Sequence, residues 1–227
     1  MNGIFSEALF RAAGEYLWLL DRGYPQKGSL KMVGDKFMLT GPMRQVLYRG
    51  ISPTEKASVR MCKINSIRNG DQVGVDTFNV LFTVNNYLMG KVLFISNDGL
   101  LRDAGEMRGR ITRKPIFARS VELLLEILKE WPGATFNLYL DEPVPYSGML
   151  SGDLTREMTR MGIKGVARTE KSPDHILKHE QSDAICTSDS AIIDHYAGRI
   201  IDLPRQLLCR FFQHEFTSLI QGSAALR

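Results

Sequence analysis

From Gln72 onward the chain alternates between short apolar runs and longer stretches with helical periodicity, and few folds accept that pattern. The runs cover 72–75, 92–96, 135–140, 165–169, 184–187 and 200–203. They are too short for buried helices. They are also apolar at successive rather than alternate positions, as strands covered on both faces require. Between them lie stretches at 79–89, 117–131, 148–161, 173–180 and 190–196, with a last one at 203–221. The cleanest places Val121, Leu124, Leu125 and Leu128 on one face and Glu122, Glu126, Lys129 and Glu130 off it. This alternation predicts an α/β fold, an open and mainly parallel sheet with helices on both faces.

Residues 1–70 read as helices instead. Phe5, Leu9, Ala12, Tyr16, Leu19 and Leu20 recur at helical spacing, with Ser6 as cap and Gly23 and Pro25 as terminators. Two short helices follow at 28–39 and 42–50, and Ser52-Pro53 opens another that runs to about residue 64. The turn Asn69-Gly70-Asp71 sets the expected boundary between a basic helical domain, 1–70, and an α/β domain with a C-terminal helix, 71–227. The front carries eleven Lys and Arg against five Asp and Glu; the remainder carries eighteen against twenty. A basic front on an acidic body suits a polyanion such as RNA. Solvated lysines, or a homodimer interface, account for the same charge.

Several classes are excluded. The 44% hydrophobic content is enough for a core, so disorder throughout is ruled out. The most apolar region, 73–95, is interrupted by Asp76, Asn79, Asn85, Asn86 and Lys91, so no membrane span is expected. Cys62, Cys186 and Cys209 form no CxxC pair and suggest neither a disulfide framework nor a zinc knuckle. The first ten residues lack a basic segment followed by a long apolar one, so no secretory leader is expected and a reducing, cytoplasmic setting fits. Dinucleotide, P-loop and serine-hydrolase signatures are absent from the sequence.

Sites in open parallel sheets form beyond the C-terminal ends of the strands. There the sequence places Asp76, Asp141 and Ser188-Asp189, and after the run at 92–96 it places Asn97-Asp98. Asp174 follows Ser172-Pro173, and Asp194 lies five residues beyond Asp189. Any one of these could be a helix cap. Several together repel one another unless a cation neutralises them, and an all-oxygen set favours Mg²⁺ or Mn²⁺. Such an ion assists phosphodiester hydrolysis. His175 and His179 stand four apart on one helix, but the sequence offers neither an intervening Glu nor a third ligand, so a solvated face is expected. Arg102, Arg108, Arg110, Arg113 and Lys114 form the densest basic run, suited to phosphates or to a solvated loop. Tyr146-Ser147-Gly148 forms either a phosphate seat at a helix start or a plain turn.

A family resemblance rests on these residues. Val75-Asp76-Thr77-Phe78-Asn79-Val80-Leu81 resembles the opening of NYN-type nucleases, a branch of the PIN-like superfamily. Leu138-Tyr139-Leu140-Asp141, Ser172-Pro173-Asp174 and Thr187-Ser188-Asp189 resemble its later acidic stations in the same order, over roughly 71–203. Thr77 replaces the usual glycine, and the segment 97–114 is longer than in a minimal NYN domain. The front, with Asp21-Arg22-Gly23-Tyr24-Pro25 and Val33-Gly34-Asp35, resembles an uncharacterised prokaryotic family found joined to such domains. The resemblance implies an Mg²⁺- or Mn²⁺-dependent endoribonuclease with Asp76, Asp174 and Asp189 as ligands and Asn79 orienting the site. Asp141 is a further catalytic candidate, and Asp194 a ligand candidate by spacing. Arg102, Arg110, Arg113, Ser147 and Ser188 are the expected substrate contacts. A catalytically inactive nucleic-acid-binding or adaptor protein is the alternative. A phosphotransferase using Asp76 as nucleophile fits less well, because Phe78 stands where DxD chemistry needs its second acid.

Overall fold

A computed structural model of the chain describes residues 3–104, 114–179 and 181–219. Four helices come first: α1 (Glu7–Asp21), α2 (Gln26–Lys36), α3 (Gly41–Gly50) and α4 (Thr54–Lys63). Then come β1 (Gln72–Asp76), α5 (Thr77–Leu88), β2 (Leu93–Ile95), β3 (Leu101–Asp103) and α6 (Lys114–Leu128). They are followed by β4 (Thr135–Asp141), α7 (Ser147–Met161), β5 (Lys164–Glu170) and α8 (Pro173–His179). The last elements are β6 (Ala184–Cys186), α9 (Ser190–Ile193), β7 (Arg199–Ile201) and α10 (Leu203–Phe212).

The chain divides into two units. In described residues the helical unit comprises 3–62, 90–104 and 214–219, and the sheet unit comprises 63–89, 114–179 and 181–213. The division therefore falls before the turn at Asn69-Gly70-Asp71, and the helical unit reclaims two later segments. The run at 92–96 is not a strand of the parallel sheet. Its core, β2, pairs antiparallel with β3, placing Phe94 opposite Arg102. Side-chain bonds explain this: the Asn97 amide donates to the Ser52 carbonyl (2.7 Å) and accepts from the Ser52 N–H (3.0 Å). Phe94 joins Leu9, Tyr16, Val46 and Leu47 in the core of the helical unit, and so does Leu219. Ser6 caps α1 as expected, accepting from the Leu9 N–H. The last helix is shorter than expected because Gln213 adopts a left-handed conformation and ends it.

The sheet unit holds five parallel strands in the order β5-β4-β1-β6-β7. Val73 through Asp76 and all of β6 are buried at successive residues, so both faces of the sheet are covered at its centre. β5 approaches β4 closely at Gly165, whose φ of 128° and proximity to the Phe136 carbonyl leave no space for a side chain. The chain runs outward from β1 through β4 to β5, then crosses back to β6 and β7 on the other side. That reversal makes the C-terminal ends of β1 and β6 the switch point, where open parallel sheets form their ligand crevice.

Candidate active site at the sheet edge

Each parallel strand ends at or near a carboxylate, but the carboxylates serve different purposes. Asp189 caps α9, its Oδ1 accepting from the Ala191 N–H (2.7 Å) and the Ile192 N–H (3.4 Å). Asp202, after β7, caps α10 through the Arg205 N–H (3.1 Å). Asp76 stands in the cap position of α5 yet makes no cap bond. Its Oδ2 instead accepts from the Thr187 hydroxyl (2.8 Å) across the switch point, and Thr187 Oγ1 accepts from the Asp189 N–H (3.1 Å). Among the described residues the other Asp76 oxygen has no donor.

The electrostatics follow from this placement. Asp76 is only 6% exposed. Burial pushes its carboxyl up to about 7, the Thr187 hydrogen bond opposes the rise, and Asp174, Asp189 and Asp141 reinforce it. Burial and the charge of Asp174 raise Asp141. Burial and the charge of Asp189 raise Asp174, with Lys178 opposing. The fold thus brings Asp141, Asp174 and Asp189 within electrostatic reach of Asp76, and Asp174 within reach of both Asp141 and Asp189. Asp194 lies exposed at the end of α9. Among the described residues, no three His, Cys, Asp or Glu side chains are already gathered around one ion position.

Asn79, in the first turn of α5, accepts from both the N–H and the hydroxyl of Ser188 at 3.0 Å. It ties the β1–α5 corner to the segment after β6. Ser147 is buried and its hydroxyl donates to the Glu142 carbonyl (3.1 Å), closing the β4–α7 turn. Thr187 is the residue that sequence reasoning missed. Its signal was present in Thr187-Ser188-Asp189, but nothing in that string says which hydroxyl faces Asp76.

Other expectations are corrected. Asp98 is not at the acidic edge: it belongs to the helical unit, fully buried, paired with Arg102 (2.8 Å) and Arg60 (3.2 Å). Arg102, expected as a substrate contact, is buried in β3 and also donates to the Arg49 carbonyl (3.0 Å). Arg110 and Arg113 lie outside the described residues. His175 and His179 are exposed on α8 with ring centroids 4.9 Å apart. Cys186 is a buried strand residue whose thiol is pushed up by burial.

Residues 64–206, more than half the chain, match the DUF5616 family, described as a domain of unknown function, and residues 8–63 match DUF434, described as a protein of unknown function. The junction of the two matches falls where the helical unit hands over to the sheet unit. The uncharacterized protein MJ0935 of Methanocaldococcus jannaschii is 26% identical over 185 residues, covering 81% of this chain and 88% of its own length. No solved structure matches the chain. Among the described residues no helix is long and apolar enough to cross a membrane.

Proposed function

We propose that this chain, which belongs to the DUF5616 family, is a divalent-metal-dependent endoribonuclease built on a PIN-like, NYN-type domain. One observation carries the reading: Asp76, buried at the switch point and free of capping duty, has one oxygen without a donor and three further acids around it. A buried carboxylate with only acidic company is stabilised by a cation. The donor chemistry is all oxygen, which fits Mg²⁺ or Mn²⁺. Asp76, Asp174 and Asp189 would hold the ion, which supplies Lewis acidity and charge neutralisation at a phosphodiester. Thr187 fixes the orientation of Asp76, and Asn79 fixes Ser188 beside it. Asp141, partly exposed and raised above the usual carboxylate range, takes the proton of the attacking water. A cytoplasmic setting belongs to the same proposal, as a compartment where RNA is abundant.

A second reading has its own support. Among the described residues the acids are not drawn around a common point, as a binding or adaptor protein without turnover would allow. Incubating the full chain with single-stranded RNA and Mn²⁺ or Mg²⁺ separates the two. Cleavage that is abolished by EDTA and by Asp76→Asn supports the nuclease. Binding without cleavage under all these conditions rejects hydrolysis and leaves the binding protein.

A further inference from the structure

Three non-glycine residues among those described have a left-handed backbone: Met38, Tyr146 and Gln213. Met38 and Gln213 follow the last turns of α2 and α10, where that conformation routinely ends helices. Tyr146, with φ 67°, instead directly precedes α7. A residue there is normally extended and caps the helix through a side-chain oxygen. Tyr146 is neither extended nor a side-chain cap.

The loop that holds it is stiff. The Val144 N–H donates to the Asp141 carbonyl and the Ser147 N–H to the Val144 carbonyl, both at 3.1 Å. Pro143 and Pro145 fix two more φ angles. The loop begins at Asp141, one of the four clustered acids. From it Tyr146 stands 75% exposed, with Met149 beyond it 66% exposed. Its carbonyl accepts from the Leu150 N–H (3.0 Å), but among the described residues the Tyr146 side chain makes no hydrogen bond or ring contact. The fold therefore holds a bare aromatic ring, on a residue in a strained backbone conformation, in the loop that begins at Asp141. Strain of this kind persists where a site uses it.

We infer that Tyr146 is a stacking platform for an unpaired nucleobase of RNA whose backbone lies at the acidic edge. This rests on the proposed nuclease reading and assigns to Tyr146 the contact that favours a single strand over a duplex. A phenol ring offers a flat apolar face with only two side-chain torsions to freeze, and the proline-stiffened loop has already lost its freedom. Every base has a π-face, so such a platform is sequence-tolerant, but bases stacked within a duplex cannot reach it.

The test uses the full chain with Ca²⁺ and a short single-stranded RNA carrying one 2-aminopurine. Wild type should quench the 2-aminopurine fluorescence and bind the single strand more tightly than the matching duplex. Tyr146→Ala should abolish the quench and weaken binding roughly tenfold. Tyr146→Phe, which keeps the ring, should behave as wild type. Tyr146→Gly suits the positive φ and removes the ring without strain, so its loss of quench cannot be ascribed to misfolding. Equal affinity and quench in wild type, Tyr146→Ala and Tyr146→Gly would overturn the stacking role while leaving the nuclease reading standing. Equal binding of duplex and single strand would overturn that preference. A wild type that binds no RNA at all overturns the reading beneath, and the platform with it.

Discussion

A carboxylate that precedes a helix usually stabilises itself by capping, and Asp189 and Asp202 do so. Asp76 gives up that option for a single hydroxyl donor, Thr187, and its ionised form is destabilised. The consequence for stability has a definite sign. An unfolded aspartate ionises near 3.9, whereas the folded Asp76 does so at about 7. Between those values the unfolded chain has lost a proton that the folded chain keeps, so stability falls as pH rises through the window and levels off above it. Asp141 and Asp174, also raised, act in the same direction. The melting temperature of EDTA-treated wild type should therefore fall between about pH 4.5 and 7.5, and Asp76→Asn should flatten the decline. Parallel curves for the two proteins would contradict this account. Thr187→Val removes the donor while keeping the shape. It should lower metal affinity or RNA cleavage by roughly 10- to 100-fold, the cost of losing a group that orients a ligand. Titration of Mn²⁺ into both proteins measures it, and an unchanged affinity and rate would remove Thr187 from the site.

At the scale of elements, the hairpin of β2 and β3 shows a buried charge deciding which unit a segment joins. Arg49 pairs with Asp103 (2.9 Å), and Arg60 and Arg102 both face Asp98, which is 0% exposed. Burial pushes the Asp98 carboxyl up, but Arg102, Ser96 and Arg60 outweigh it and hold it below the usual range. Removing one member of such a group leaves charge in a dry environment, at about 3–5 kcal/mol. Asp98→Asn should cost a stability loss of that order in urea unfolding, and a loss below about 1 kcal/mol would show that the group is dispensable. The same ion pairs revise the picture of the basic front. Lys31 and Arg44 face Asp35, Lys36 faces Glu15, and Arg49 faces Asp103. With Arg60 counted, five of the eleven cations at the front are thus paired among the described residues, three of them with acids of the front itself.

For the whole molecule, the chain leaves the sheet unit after α5, passes through the hairpin of the helical unit, and returns for α6. The contribution of a bound ion is best read on this complete chain. Mn²⁺ at a hundred times its Kd stabilises a protein that binds it only when folded by about 2.7 kcal/mol. At this size that corresponds to a rise of roughly 5–10 °C in Tm. Calorimetry should show such a rise for wild type and little for Asp76→Asn. A Tm indifferent to Mn²⁺ in both would argue against any ion at the acidic edge.

The parallel sheet, the helical front and the acids Asp76, Asp141, Asp174 and Asp189 were legible in the chain itself. Strands buried on both faces must be apolar at successive residues, and chain order alone places Asp76, Asp141 and Asp189 at or just after strand ends and Asp174 at the start of the helix after β5. Three things needed the tertiary structure. The run at 92–96 has the composition of an inner strand, and only the Asn97–Ser52 bonds and the buried Asp98 group assign it to the helical unit. Arg102 reads as one of a solvated basic run until burial pairs it with Asp98. The different fates of Asp76 and Asp189 depend on where Thr187, 111 residues beyond Asp76, directs its hydroxyl. Local patterns record solvent exposure and chain direction, because those act on neighbours in sequence. Which acid is capped and which is left facing other acids depends on strand order and register, which distant segments set together.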